Sequence, residues 1–305
     1  MSRCFDQHKA ATATFYGICS DSTYVVETKD ESVLLQRYLQ LEMQSNRFWQ
    51  WCEEHKSGGV NYLINYSTLT EYEFDLPPIE EQKLRAEKLW AAYEVKQSYL
   101  KMIKATQEMV QSQFIEMFGV NLPKKKISEI CDVRGGSTPA RTNRSFWDNG
   151  TVSWFTVEDI YEQGHYIFST KQHITELATK KTFVYPIDTV LICCTASVGE
   201  YAITKKEMAS NQQFNGMMIR DKSIMNPEYL LYVASTLKDA LLRQAGKTTI
   251  SFVSRSKLEE IEIPVPGIDN QNKFVAIKQQ ADKSEFELRK SIDAIDAVIK
   301  SLING

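Results

Sequence analysis

The residues able to do chemistry in this 305-residue chain are grouped for binding rather than for bond breaking. Its four histidines (His8, His55, His165, His173) show none of the spacings that hold a metal. Its six cysteines (Cys4, Cys19, Cys52, Cys131, Cys193, Cys194) contain no C-x-x-C pair, so reduced, partly buried thiols are expected rather than a zinc cluster or disulfide framework. Glu94, Val95 and Lys96 have the order of a nuclease carboxylate and lysine but fall inside a long helical stretch without a Pro-Asp partner. Leu76, Pro77, Pro78 and Ile79 are the nearest approach to an amino-methyltransferase motif. They place Leu where a polar acceptor is required and Ile where an aromatic ring should stack. Gly246, Lys247, Thr248 and Thr249 imitate the end of a phosphate loop whose first glycine would fall at Leu241.

Binding chemistry is better supplied. Arg134, Ser137, Thr138, Arg141, Asn143 and Arg144 surround Gly135 and Gly136. Guanidinium and hydroxyl groups on such a loop suit anionic phosphates, which the glycines let the backbone approach closely. Thr170, Lys171, Gln172, Lys180 and Lys181 form a second polar, basic stretch. Trp147 and Trp154 flank alternating strand residues and are expected in the core.

The elements carrying these residues show in an internal repeat. Leu69, Tyr72, Phe74, Leu76, Pro77, Ile79 and Gln82 match Leu258, Ile261, Ile263, Val265, Pro266, Ile268 and Gln271 at a constant offset of 189 residues. Alternation predicts a short half-buried strand in each copy, ended by the proline and followed by an acidic helix start. The first helix is expected from about residue 80 to 118, with a seam at Leu89, Ala92, Lys96, Tyr99, Ile103, Thr106, Val110, Gln113 and Met117. The second is expected from about 269 to 303, with its seam at Ile277, Ala281, Ser284, Leu288, Ser291, Ile295, Val298 and Leu302. Such a period wants a partner helix, and two rods of similar length would most simply pair antiparallel.

Between them, residues 120–268 read as a mixed domain with strands near 152–155, 189–192, 201–203 and 216–219 and a helix over 227–244. Residues 1–68 resemble only its later part. Thr14, Phe15, Tyr16, Gly17 and Ile18 match Gln213 to Met217, and an apolar helical stretch at 34–51 matches 227–244. The expected class is α+β, with β-rich domains joined by two long helices packed as an antiparallel coiled coil. The divisions are 1–78 (a partial domain), 79–119 (a central spacer helix), 120–268 (a complete domain) and 269–305 (a C-terminal spacer helix). Net charge is −3, but the segments 1–120, 121–268 and 269–305 carry −5, +2 and 0, so contact with a polyanion belongs in the middle. No apolar run is long enough for a membrane helix and the N-terminus lacks signal-peptide character, so a cytoplasmic location is expected.

Several stretches together resemble the specificity subunits of type I restriction–modification systems. They are Ile127 to Val133 leading into Gly135, Gly136, Ser137, Thr138 and Pro139; Phe146, Trp147, Asn149, Gly150, Val152 and Trp154; Lys171, His173, Ile174 and Thr175; Ser197, Val198 and Gly199; Asn211 and Gln212; Ile261 to Pro266 with Gln271; and Gln113 to Gly119 closing the first helix. Order and spacing hold across about 250 residues. The family's first domain is usually complete, whereas here its N-terminal half has no counterpart of Gly-Gly-Ser-Thr-Pro.

The resemblance implies a non-catalytic protein that reads one half of a split site in double-stranded DNA. It also implies helices that act as a ruler and hold methyltransferase subunits and a restriction or translocase subunit, with self-association as a further option. No cofactor is expected on this chain; S-adenosylmethionine, ATP and magnesium would belong to the partners. It further places Thr195, Ser197, Asn211, Gln212 and Gln213 on loops facing the major groove, where Asn and Gln bind adenine bidentately. Lys247 and Arg255, at the passage from helix to strand, complete the candidate contacts. Two alternatives remain: a coiled-coil protein-interaction adaptor, and the DNA-reading subunit of a related methyltransferase or nuclease system.

Overall fold

Three short helices, α1 (Gln36–Glu42), α2 (Asn46–Glu54) and α3 (Tyr66–Leu69), lie in the first of two units, Met1–Gln107 with Asp282–Gly305. Of these, α2 and α3 pack around Phe48, Trp49, Cys52 and Ile64, and α1 buries Leu41 with Leu89 and Ile299. The computed structural model describes residues 10, 13, 16–58, 63–119, 122–244 and 252–304. The apolar stretch at 34–51 is two helices rather than one. The break falls at residues 43–45, where Ser45 caps α2 by accepting from the Phe48 amide at 3.1 Å. The next helix, α4 (Ile79–Phe118), is unbroken.

Two expectations for this unit fail. Tyr72, Phe74 and Leu76 form no strand. Tyr72 instead packs its ring against Phe48 and Trp51 and donates its hydroxyl to the buried carboxylate of Glu42 at 2.5 Å. Tyr16, Gly17 and Ile18 are also not a strand, and Tyr16 and Ile18 are fully exposed; Thr14 and Phe15 lie outside the described residues. The cause is common to both. Their second-unit counterparts are strands only because other strands pair with them, and the described residues of the first unit offer no such partner.

The second unit, Glu108–Ala281, supplies those ladders. It opens with β1 (Lys124–Lys126), α5 (Ile127–Ile130), β2 (Cys131–Gly135), β3 (Val152–Phe155), α6 (Val157–Gln163), β4 (Tyr166–Ile167), β5 (Gln172–Ile174) and β6 (Val184–Tyr185). It continues with β7 (Val190–Cys193), β8 (Tyr201–Thr204), β9 (Met208–Ser210), β10 (Phe214–Ile219), α7 (Pro227–Thr236), α8 (Lys238–Gln244), α9 (Arg255–Glu259) and β11 (Glu262–Pro264). The last helix, α10, spans Ile268–Asn304. One sheet runs β2-β10-β7-β8-β4, a second runs β5-β3-β9-β6, and β1 pairs antiparallel with β11.

The larger sheet is covered on both faces, which explains the continuously apolar β7. Val190 and Ile192 enter the cluster with α7, α9 and Phe274, while Leu191 and Cys193 enter the cluster with Phe155 and Tyr185. Cys193 and Cys194 accordingly face opposite ways. The expected single helix over 227–244 breaks at Leu237. There the Ser235 and Thr236 hydroxyls bond back to the carbonyls of Tyr232 (2.5 Å) and Val233 (2.7 Å).

The repeat survives in detail. α3 and α9 begin at Tyr66 and Arg255, and α4 and α10 at Ile79 and Ile268, both 189 residues apart. Each long helix carries a buried glutamine in its first turn. Gln82 Nε2 donates to the carbonyls of Pro77 and Val33, both at 2.9 Å, and its Oε1 accepts from the Leu35 amide at 3.0 Å. Gln271 Nε2 donates to Pro266 (2.7 Å) and Ile224 (2.8 Å), and its Oε1 accepts from the Asn226 amide at 2.9 Å. Leu35 and Asn226 are the N-cap residues of α1 and α7. One amide side chain thus ties helix start to helix start in both copies.

In the first unit, α4 and α10 run antiparallel. Leu89 shares a cluster with Ile299, Lys96 pairs with Asp296 at 2.5 Å, and Gln107 donates to Glu285 at 3.1 Å. In the second unit, Phe114 and Phe118 meet Phe274. Every expected seam position of α4 is buried or half-buried, and the polar interruption at Lys96 is answered by Asp296. On α10, the expected Ile277, Ala281, Leu288, Ser291, Ile295 and Leu302 are buried or half-buried, but Ser284 and Val298 are exposed. Glu285 and Ile299 take the places of those two. The seam is one residue later there, which puts Ile299 rather than Val298 against Leu89.

Candidate nucleic-acid interface

Register brings the candidate loops to one end of the larger sheet. Gly135 faces Asn215, Phe214 faces Cys193, and Ile192 faces Tyr201, so the segments after β2, before β10 and between β7 and β8 leave from the same edge. Gly136 is required at the first of these exits. A Cβ there would stand 2.2 Å from Ser210 Oγ and 2.3 Å from the Asn211 carbonyl oxygen. The close approach that Gly136 permits is therefore to the 210–211 backbone, a correction to the expectation that it serves a phosphate.

Beyond Gly136 the chain is held residue by residue. The Ser137 amide donates to the Ser210 carbonyl (3.0 Å) and its hydroxyl to the Lys181 carbonyl (2.6 Å). Thr138 donates to Gln212 Oε1 at 2.5 Å. Pro139 is buried. The indole N–H groups of Trp147 and Trp154 reach back to the carbonyls of Ala140 (3.2 Å) and Ser137 (3.4 Å). Arg141 lays its guanidinium carbon 3.6 Å above the Trp147 ring and 4.5 Å from that of Trp154, and its Nη2 donates to Gln172 Oε1 at 2.7 Å. Partial desolvation lowers the Arg141 pKa from its ordinary value, and a guanidinium still stays charged at any physiological pH.

Ser137, Thr138, Arg141, Gln172, Lys181 and Gln212 are thus one assembly. Arg134 on β2, Arg144 in a short 3-10 turn (Arg144–Phe146) and Lys180 are exposed around it. Trp154 is buried and Trp147 half-buried, and both carry out the expected core role. Other candidates have internal duties. Asn143 caps the 3-10 turn, accepting from Ser145 N at 3.1 Å. Lys171 is paired with Glu162, which raises its pKa. Arg255 pairs with Glu259 on α9 at 2.7 Å. Asn211 is half-buried, and both ends of its amide engage Gln213. Thr195 bridges Phe252, and Ser197 is half-buried in the β7–β8 loop, where Ala196 has a φ of 62°. Lys247, with the rest of its Gly246 to Thr249 stretch, lies outside the described residues.

The aromatic and amide support of Arg141 was not legible in the sequence. The only signal was the run of two tryptophans and two glutamines around arginines, and its meaning depends on which strands adjoin. Among the described residues no three His, Cys, Asp or Glu side chains gather as a metal site, and no helix is long and apolar enough to cross a membrane.

Comparison with known proteins agrees with this architecture. The chain is 28% identical over 166 residues to the type I restriction enzyme EcoprrI specificity subunit of Escherichia coli, covering 54% of this chain and 41% of that protein. It is 28% identical over 202 residues to the MjaIX specificity subunit of Methanocaldococcus jannaschii, covering 64% and 46%. It therefore spans less than half the length of either relative. Among solved structures, a chain from a type I R-M system studied for complex assembly and conformational transition superposes with a TM-score of 0.62 at 18% identity, covering 90% of this chain and 71% of that one. The type I restriction–modification S subunit from M. genitalium superposes with a TM-score of 0.57 at 13% identity, covering 90% and 73%. These two likenesses concern the fold. A family model described as the type I restriction modification DNA specificity domain matches residues 119–295, more than half of the chain, and to that family the chain belongs.

Proposed function

We propose that this chain is a non-catalytic, sequence-reading subunit of a type I restriction–modification complex. The observation that carries the reading is the pinned 137–141 segment, with the exposed Arg134 and Arg144 near it in the chain and the exposed Lys180 and Lys181 at the backbone that holds Ser137. Cations on the rim neutralise phosphates and set position, while the ordered Arg, Thr and Gln side chains meet base edges. On this reading residues 120–268 are a complete target-recognition domain and residues 1–78 correspond to the later part of another. Residues 79–119 and 269–305 are spacer helices that set the distance between half-sites and hold the methyltransferase and restriction subunits. The complex would work in the cytoplasm, with its S-adenosylmethionine, ATP and magnesium on those partners.

Duplex-binding titrations of the chain with its methyltransferase subunit, across a salt series, test this. Affinity is expected to fall steeply with salt. Replacing Arg134, Arg144 and Lys180 together by Ala should flatten the slope of log K against log salt by about 0.9 for each phosphate that is no longer neutralised. A folded triple variant with the wild-type slope would remove this rim from the interface, and salt-insensitive or absent binding would favour a protein-interaction adaptor.

A further inference from the structure

We propose that Arg141 and Gln172 act as one guanine-selective reading head, with Trp147 and Trp154 as the positioning residues that hold it. The inference rests on the DNA-reading function above and assigns it a base and a mechanism.

Gln172 has one acceptor oxygen and one NH2 group, and Arg141 has only donors. In this structure the Gln172 oxygen is taken by Arg141 Nη2 at 2.7 Å. That bond takes one of the oxygen's two lone pairs and turns the carbonyl toward Arg141, so N–H groups dominate what the pair presents. The major-groove edge of guanine carries two acceptors, N7 and O6. Adenine sets a donor beside its acceptor, cytosine presents a donor, and thymine offers one acceptor beside a methyl group. A head rich in donors therefore matches guanine best and leaves a donor opposed or unpaired against the other bases. A free glutamine would read adenine instead, so the donors of the coupled guanidinium shift the base that this position selects.

Arg141 is also held rigidly. A free arginine spreads over many rotamers, and ordering it on DNA costs affinity. Here the guanidinium carbon stands 3.6 Å from the centre of the Trp147 ring and 4.5 Å from that of Trp154, and the two rings meet edge to face at 88°. Each indole N–H is also bonded to a carbonyl of the segment that carries Arg141, at Ala140 and Ser137. The tryptophans thus fix both the side chain and the backbone from which it springs. Gln172 sits on β5, which pairs with β3 at Trp154, so Gln172 and one of the supporting tryptophans share one sheet.

Selection from randomised duplexes by the full chain with its methyltransferase subunit tests this. The wild-type motif should contain a guanine preferred over adenine by about tenfold or more. Arg141→Lys keeps the charge but loses the planar fork, and Gln172→Glu replaces the NH2 donors by acceptors. Each should make that one position degenerate while the rest of the motif persists. Trp147→Leu should weaken the same preference by loosening Arg141, and because it touches packing, the two surface variants decide if it fails to fold. A folded Arg141→Lys or Gln172→Glu that selects the same guanine as wild type overturns the proposal. A wild-type chain that binds duplex without selecting any sequence overturns both this inference and the reading on which it rests.

Discussion

At the scale of single residues, the paired glutamines show what sequence spacing reveals and what it conceals. Gln82 and Gln271 stand out as identical residues in register, but two of the three partners of each are backbone groups 45 to 49 residues away, which no local pattern encodes. Each side chain satisfies two carbonyls and one amide in a buried place, and removal strands those groups without solvent. Gln271→Ala is therefore expected to lower stability by about 2–4 kcal/mol, measured as a shift of the urea midpoint, because two or three buried polar groups lose partners. Gln82→Ala should cost a similar amount in the first unit. Gln271→Glu should be no substitute, since a carboxylate repels the carbonyls that the NH2 group serves. Gly136 is the converse case: its type was legible and its reason was not, because the crowding comes from residues 210 and 211.

At the scale of elements, the long helices, the seam of α4 and most second-unit strands followed from periodicity. The failures have physical causes. The alternation at 72–76 is as regular as that at 261–265, but a strand exists only where another pairs with it, and β1 serves the second copy alone. The break at Leu237 comes from two adjacent hydroxyls competing for helix carbonyls, a local effect hidden inside a strongly apolar run. The α10 seam slipped because Val298 and Ile299 are adjacent and equally apolar, so composition could not choose between them. Burial does: Ile299 is 6% exposed and Val298 is 52% exposed. Ile299→Ala should therefore cost about 2–4 kcal/mol, while Val298→Ala should stay within about 0.5 kcal/mol. Equal losses in thermal or chemical denaturation would return the seam to its expected phase.

At the scale of the whole molecule, the two units differ in how much apolar material they enclose. The first unit's buried clusters are small, Phe48, Trp49, Cys52 and Ile64 in one and Leu41, Leu89 and Ile299 in another. The second unit has a far larger cluster running from Ile127 through Tyr229 to Phe274, and a second one between its sheets. Hydrophobic stabilisation scales with buried area, so the first unit should open at lower denaturant. The cysteines are natural reporters of this order. Cys19 is exposed, Cys52 is buried in the first unit, and Cys131, Cys193 and Cys194 are buried in the second. Burial pushes the Cys52 and Cys131 thiols up to about 12 and Cys194 up to about 11, so the native chain keeps them as unreactive thiols near neutral pH. Alkylation with mass-spectrometric mapping through a urea series should label Cys19 without denaturant. Cys52 should follow at lower urea than Cys131, Cys193 and Cys194, which should respond together. Simultaneous labelling of all four buried thiols would instead mean that α4 and α10, which contribute to both units, couple them into one cooperative transition.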